Sequence, residues 1–351
     1  MRVQAIVFSM IYIMTWQKRM GFRCRRRAGV SAWPDMRQCS NMKCINKQSL
    51  EHDRCARHGV DIAGTRPRSL PAGLRRHKLG AILNQVPAMP MLTALYRYPV
   101  KSAHGDALTR CRVDARGLPD DRSWMVADPD GRFITGRECP QLVTVAATVD
   151  EAGLHVAAPG REPLTVSRAA FTEPHPAVVW RDGFEAWHGP HAADDWFSDF
   201  LDRPVRLMHT GDTRRRVSAF PDIPLSFADG FPLLLIGDAS RRQLEHWVGR
   251  PLEMARFRPN LVIDGADAFA EDGWKRLRIG EVELELVRPC ERCVFTTIDP
   301  DTGVRSADGE PLRTLARYRR GERGVLFGQN ALVRRGGMLT VGSAVEVLEA
   351  A

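Results

Sequence analysis

From Leu92 onward, short runs of alternating apolar and polar residues recur along the chain, each bounded by Gly, Pro, Asp or Asn. Leu92–Tyr98, Arg122–Ala127, Arg132–Thr135 and Leu142–Val149 have the two-residue period of strands, because successive side chains of a pleated chain point to opposite faces. Asp128-Pro-Asp-Gly131 lies between two of these runs and predicts a hairpin turn. Runs at 153–158, 163–167, 177–180 and 184–188 continue the series, and Ala344–Leu348 reads as the last strand. Three segments change to helical spacing. His191–Leu201 places Trp196, Phe197, Phe200 and Leu201 on one face, and Asp238–Val248 opens on an Asp cap with Leu244 and Trp247 on its apolar stripe. Glu310–Arg319 carries Pro311 in its first turn. Many short strands with few helices predict a mainly β protein built from barrels or sandwiches. Residues 91–351 exceed what one small barrel needs, so two β-rich units are expected, 91–215 and 216–351, meeting near the Arg- and Pro-rich stretch 211–225.

Residues 28–88 show no sustained helical or strand period and predict no packed core. The apolar run 3–16 is too short to span a bilayer comfortably, is interrupted by Gln4, Ser9 and Thr15, and has its basic cluster on the wrong side for a secretory signal. Residues 1–90 are therefore expected to be disordered or an over-extended reading frame, with translation starting at Met89 or Met91. A targeting or anchoring segment and a disordered regulatory tail are the alternatives.

At 351 residues and 44% hydrophobic content the chain can bury a substantial core, and its net charge of +9 suggests an acidic partner until it is divided. Of the 51 Lys+Arg and 42 Asp+Glu, residues 1–90 hold 17 and 4, leaving 34 and 38 in 91–351. The basicity belongs to the first segment, and the main body, slightly acidic, has no nucleic-acid signature. The cysteines divide at the same place: Cys24, Cys39, Cys44 and Cys55 before it, Cys111, Cys139, Cys290 and Cys293 after it. No disulfide framework emerges, which predicts a reducing compartment, read here as the cytoplasm; a monomer away from membranes is expected separately, because nothing in the sequence calls for more.

Within the body, Glu281–Val287 alternates as a strand, so Cys290 and Cys293 are expected just past its end. A lone Cys-x-x-Cys suits half a zinc site, a dithiol redox pair, one working thiolate beside a neighbour, or two buried thiols. Zinc needs further ligands, and no second Cys-x-x-Cys or His pair stands at a useful spacing. Other polar clusters change the balance. Pro99 ends the first strand and leaves Lys101 and Ser102 beyond it, Arg122 opens a strand, and Arg258 and Asn260 precede another. Together they offer the fork-shaped and point-charge donors that hold a phosphate and a polar ring system.

Six motifs, in order, carry a resemblance: Leu-Tyr-Arg-Tyr-Pro-Val-Lys-Ser102, Asp-Arg-Ser-Trp-Met-Val126, Phe-Arg-Pro-Asn-Leu-Val-Ile263, the run from Pro289 to Gly303 that contains both thiols, Glu-Pro-Leu-Arg-Thr-Leu315 and Phe-Gly-Gln-Asn330. The chain resembles the MOSC proteins, in the branch with an N-terminal MOSC β-barrel domain, over roughly residues 92–349. The resemblance implies a β-barrel MOSC domain after a β-rich N-terminal one, and a molybdenum cofactor of the molybdopterin type. By motif position Cys293 is the metal ligand and catalytic thiolate, with Cys290 as its neighbour. Lys101, Ser102, Arg122 and Arg258 become cofactor anchors, and Asn260 orients the pterin or a loop around it. Asn330 lies beside the cofactor, and Arg292 helps to hold the Cys293 thiol deprotonated. Asp229 aligns with a polar segment that the family uses, although Gly230 and Phe231 depart from the hydroxyl residues of some members. Asp299 is expected to shape its loop. Pyridoxal phosphate binding is associated with the family as a whole and is carried here only at that level.

The activity so implied is reduction of N-hydroxylated small molecules, N–OH to N–H. No cysteine follows Cys293, so the four-cysteine [2Fe–2S] ferredoxin domain of longer relatives is not expected here, and a separate ferredoxin or flavoprotein reductase is expected to deliver electrons. The alternative is a sulfur carrier for cofactor maturation, with a persulfide on the same Cys293.

Overall fold

Strand Met91–Arg97 buries Leu92 and Leu95, three residues apart, because a bulge between Leu92 and Ala94 inserts one residue and returns both to the core face. The structure, a computed structural model, describes residues 89–351 except 213 and 214; the expectations for residues 1–88 lie outside the described residues. Met91–Arg97 joins a nine-stranded sheet, eight of whose strands run in the order Asp106–Leu108, Met91–Arg97, Leu261–Asp264, Leu233–Gly237, Gly324–Arg335, Val282–Arg292, Trp274–Ile279 and Val345–Ala350, while the ninth, Arg320–Gly321, pairs with Gly324–Arg335 off this path. Neighbours on this path are antiparallel, apart from the parallel pair Leu233–Gly237 and Leu261–Asp264. The last strand returns to the first through a Met91–Ala344 bridge and a hydrogen bond from Leu92 N to Ser343 O (2.9 Å), so the sheet closes on itself as a barrel. Its interior is apolar, with Leu95, Leu235, Leu261, Leu277 and Leu284 at 0 or 1% exposure.

The rest of the fold is a four-stranded antiparallel sheet, ordered Trp124–Ala127, Arg206–His209, Asp182–His188 and Glu173–Val179, and a three-stranded one from Ala146–Asp150 to Leu164–Val166. Helix His191–Leu201 lays Trp196, Phe197 and Leu201 over a core that holds Trp124, Leu142 and Leu207. With three α-helices among the described residues, the fold is mainly β, as the alternation predicts. The segment proposed as 91–215 gives its first strands to the barrel: Arg110–Val113 pairs with Gly337–Thr340, and Val113 and Leu118 join the barrel core.

Four expectations change in detail. The run 142–149 divides into a 3-10 turn, Pro140–Thr144, and strand Ala146–Asp150; Leu142 and Val143 are both buried, which an exposed-and-buried alternation forbids. In the run 132–135 only Arg132 and Phe133 make isolated bridges, in place of a strand, with Ala127–Phe133 closing the expected hairpin. Pro311 precedes its helix, Leu312–Tyr318, instead of lying within it. Finally, Val282–Arg292 runs through Pro289 and contains Cys290, leaving only Cys293 beyond its end. Bulges at Leu286/Arg288 and Pro289/Glu291 absorb the proline without ending the ladder to Gly324–Arg335.

Candidate functional site

Two segments far apart in function of sequence pattern, Tyr98–Lys101 and Arg122–Trp124, lie side by side. Arg122 N donates to Tyr98 O (2.7 Å), Trp124 N to Pro99 O (3.0 Å) and Lys101 N to Trp124 O (2.8 Å), while the Asp121 carboxylate accepts Tyr98 N (2.8 Å). This exchange turns the chain so that Lys101, Ser102 and Arg122 face one cavity of about 170 Å³, together with Asp229, Arg258, Asn260, Arg292, Cys293 and Asn330. The nine residues that the resemblance assigns to the metal or cofactor thus line the same space. Three of them, Ser102 (φ 70°), Arg122 (φ 51°) and Arg258 (φ 55°), hold left-handed backbone, which costs a non-glycine residue roughly 1–2 kcal/mol. Such conformations persist where surrounding bonds over-determine them, and they cluster at functional sites.

Charge in the cavity is lopsided. Lys101, Arg122, Arg137, Arg258 and Arg292 face the carboxylates of Asp229 and Glu291, an excess of three positive charges. Lys101 is buried and donates Nζ to Phe227 O (2.8 Å) and Asp229 Oδ1 (2.5 Å). Burial pushes the Lys101 ammonium down from its ordinary value, with Asp229 opposing. At Asp229, desolvation works to raise the carboxyl, but the Lys101 charge and the Trp180 indole N–H outweigh it and hold the carboxylate well below its usual range. Burial, and then the Arg122 charge, bring Arg258 down to about 10, so it remains a cation at neutral pH.

Arg122 and Arg258 each set their guanidinium carbon 4.3 Å from the centroid of the Tyr98 ring, an arrangement that keeps two like charges close by giving both a π face. Arg122 spends its donors inside the protein, on Asp121 Oδ2 (2.5 Å), Asn260 Oδ1 (3.2 Å) and Arg258 O (3.1 Å). Arg258 gives Nη1 to Ala103 O and leaves Nη2 buried with no partner. Arg292 Nε and Thr135 Oγ1 are likewise buried and unpaired. An orphaned buried donor costs about 1–3 kcal/mol, more when charged, so these atoms mark where an anionic or strongly accepting group fits.

Asn260 is a clamp. Its Nδ2 donates to Tyr96 O (3.1 Å) and its Oδ1 accepts Leu234 N (3.1 Å), tying two barrel strands together under the cavity. Cys293, exposed, starts the 3-10 turn Val294–Thr297, and Thr296 fixes its carbonyl through N (3.1 Å) and Oγ1 (3.0 Å). Arg292 gives Nη1 to Cys290 Sγ (3.1 Å) and Nη2 to Phe257 O (2.6 Å). The guanidinium that the sequence sets next to Cys293 therefore contacts the other thiol, Cys290, two residues back, where a bulge at Pro289/Glu291 shifts the strand's phase. Asn330 donates to Pro289 O at 3.4 Å. Asp299 lies outside the cavity and shapes its loop, accepting Asp301 N (3.1 Å), Thr302 N (2.9 Å) and Arg256 Nη2 (2.9 Å).

Sequence reasoning passed over Thr135 and Arg137. Arg137 lines the cavity with its guanidinium 4.4 Å from the Trp180 ring, whose Nε1 holds Asp229 Oδ1 at 3.0 Å. The available signal was Thr135-Gly136-Arg137, polar residues just beyond an apolar run, the same pattern that drew attention to Lys101 and Ser102.

The chain matches the MOSC N-terminal beta barrel domain over residues 89–204 and the MOSC domain over residues 222–346. Mitochondrial amidoxime-reducing component 1 of Homo sapiens is 33% identical over 276 residues, 72% of this chain and 82% of that protein. Mitochondrial amidoxime reducing component 2 of Bos taurus is 33% identical over the same length, with the same coverage of both chains. Component 1 of Danio rerio is 33% identical over 276 residues, 73% of this chain and 84% of that protein. With both domains present in this order and relatives of this similarity along most of its length, the chain belongs to the MOSC family.

Proposed function

We propose that the cavity binds a molybdenum cofactor of the molybdopterin type, with Cys293 as the protein ligand, and that the chain reduces N-hydroxylated small molecules. The observation that carries this reading is the meeting, in one cavity, of an exposed thiol with buried guanidinium donors that have no partner. The residues suit such a group on chemical grounds: a thiolate is the soft ligand that a redox-active metal takes, and unpaired Arg donors take a phosphate. When bound, the cofactor would supply the two-electron chemistry that converts N–OH, with two protons, to N–H and water. The names of the relatives, amidoxime-reducing components, support this class of substrate.

The chain's own residues then have separable tasks. Arg258 and Arg292, whose Nη2 and Nε have no partner, would hold the anionic part of the cofactor, and Lys101, paired with Asp229, would add charge. Asp229 keeps Lys101 in place, and Asn260 and Asp121 keep Arg122 in place, so the cationic wall is set before anything binds. Phe257, Phe295 and Leu234 line the cavity with apolar surface that excludes water from part of it. Ser102 and Asn330 border the same space and are assigned to the cofactor's polar edge.

Electrons are proposed to come from a separate ferredoxin or flavoprotein reductase. Among the described residues no helix is long and apolar enough to cross a membrane; the cytoplasmic placement and monomeric state remain proposals from the sequence. The test is benzamidoxime reduction by the molybdenum-loaded protein with an added reductase. Turnover by wild type that falls to background in Cys293→Ala supports the reading; no turnover above Cys293→Ala sinks it.

A further inference from the structure

Three histidines gather at one end of the four-stranded sheet, and none of them lines the cavity that holds Cys293. His188 has its ring centroid 6.2 Å from that of His175 and 5.7 Å from that of His191. His188 ends strand Asp182–His188, Gly189 and Pro190 turn the chain, and helix His191–Leu201 starts at once with Asp194 in its first turn. His191 and Asp194, three apart, share a helix face, and the turn brings His188 onto it. From the sequence no His pair stands at a useful spacing for the Cys-x-x-Cys; His188 and His191 make a pair of their own, which the Gly-Pro turn reveals.

The ligating atoms converge. His188 Nε2 lies 2.6 Å from Asp194 Oδ2, His191 Nδ1 lies 3.8 Å from the same oxygen, and one ligand atom from each residue falls within 4.8 Å of the other two. A tetrahedral ion with bonds of about 2.0–2.2 Å needs its donors roughly 3.3–3.5 Å apart. The closest pair must open by less than about 1 Å to admit one. The outer contacts are already those of a metal site: His188 Nδ1 meets Glu173 Oε2 at 2.9 Å, the carboxylate–histidine pairing that orients a metal-binding imidazole, and Asp194 Oδ1 accepts Leu207 N at 2.8 Å. His188 and Asp194 are thereby fixed from behind, and His191, 90% exposed, is free to close over an ion. A helix N-terminus disfavours a cation, and the carboxylates of Asp194 and Glu173 offset that.

We infer that His188, His191 and Asp194 form a binding site for a divalent first-row ion of the zinc class, with water in the remaining position and Glu173 as the outer partner of His188. Two imidazoles and one carboxylate are a donor set that such ions accept. The ion would fasten the strand end to the helix that carries Trp196, Phe197 and Leu201 into the core. The competing role for the cluster is a strut in which His188 merely bridges two carboxylates, and it differs in one respect: a strut has no use for His191.

Zinc competition against a chromophoric chelator, with the full chain as wild type, His191→Ala and Glu173→Gln, separates the two. Zinc held by thiols or elsewhere is common to all three proteins, so only differences count. His191→Ala removes an exposed side chain and leaves the fold in place, checked by circular dichroism. The site predicts one more zinc equivalent per chain in wild type than in His191→Ala, and an affinity roughly 10-fold or more weaker in Glu173→Gln. Equal zinc uptake by wild type and His191→Ala overturns the assignment.

Discussion

Arg258 reaches the cavity through a left-handed turn, stacks against Tyr98, and still leaves Nη2 without a partner. Arg258→Lys keeps the charge but removes the planar fork, so a charge-assisted hydrogen bond worth about 1.5–3 kcal/mol is lost. The expected result is cofactor retention weakened roughly 10- to 100-fold, read as molybdenum per chain after dialysis, with turnover per bound molybdenum largely kept. Asp229 makes a pH prediction. Because its folded carboxyl lies below its unfolded value near 3.8, its contribution to stability is fully present above that value and is lost as pH falls through the lower folded one. Asp229→Asn should therefore be less stable than wild type at about pH 5 to 7 in urea melts, with the gap shrinking below about pH 3. A gap that is constant over this range would count against the Lys101 pairing. Residue types were the most legible level in the sequence: polar side chains set just outside apolar runs, as in Lys101-Ser102 and Arg258-Pro-Asn260, mark the cavity wall. What stayed hidden was direction. Asn260 spends both ends of its amide on backbone, and Arg292 faces Cys290, because strand phase is set by bulges that a single sequence does not display.

At the scale of elements, the strand that delivers Cys293 depends on its neighbour Gly324–Arg335. Gly328 in that neighbour has φ +78°, and a Cβ there would lie 2.6 Å from Ile236 Cγ1 and 2.8 Å from Leu235 O. Gly328→Ala combines backbone strain with a clash against main chain, so a loss of at least about 1–3 kcal/mol is expected in chemical denaturation. Stability equal to wild type would mean that this strand can shift without cost. Helices were read well because their apolar stripes are local: His191–Leu201 and Asp238–Val248 appear at the expected residues, although Asp238 is the first helical residue and Gly237, not the expected Asp, is the cap. Strand ends were read less well. Pro289 looked like a terminator, yet the ladder continues through a bulge, and Pro140 starts a 3-10 turn where alternation suggested a strand.

For the whole molecule, the cavity draws on the Thr135–Arg137 turn, on the turns after the first strand, on Asn260 just before strand Leu261–Asp264, and on the barrel strands that carry Cys290 and Asn330. Its cationic excess matters more than the charge of the whole chain, which residues 1–90 dominate. The closing of the barrel by its own first and last strands was not legible from the sequence, since it depends on pairing between residues about as far apart as the described chain allows. Molybdenum and pterin analysis of the full chain, purified from a host that makes the cofactor, tests the central claim most directly. One molybdenum and one pterin per chain, with the metal lost in Cys293→Ala, is the predicted result. Metal-free protein carrying a labile persulfide on Cys293 would contradict it and assign the cavity to sulfur transfer.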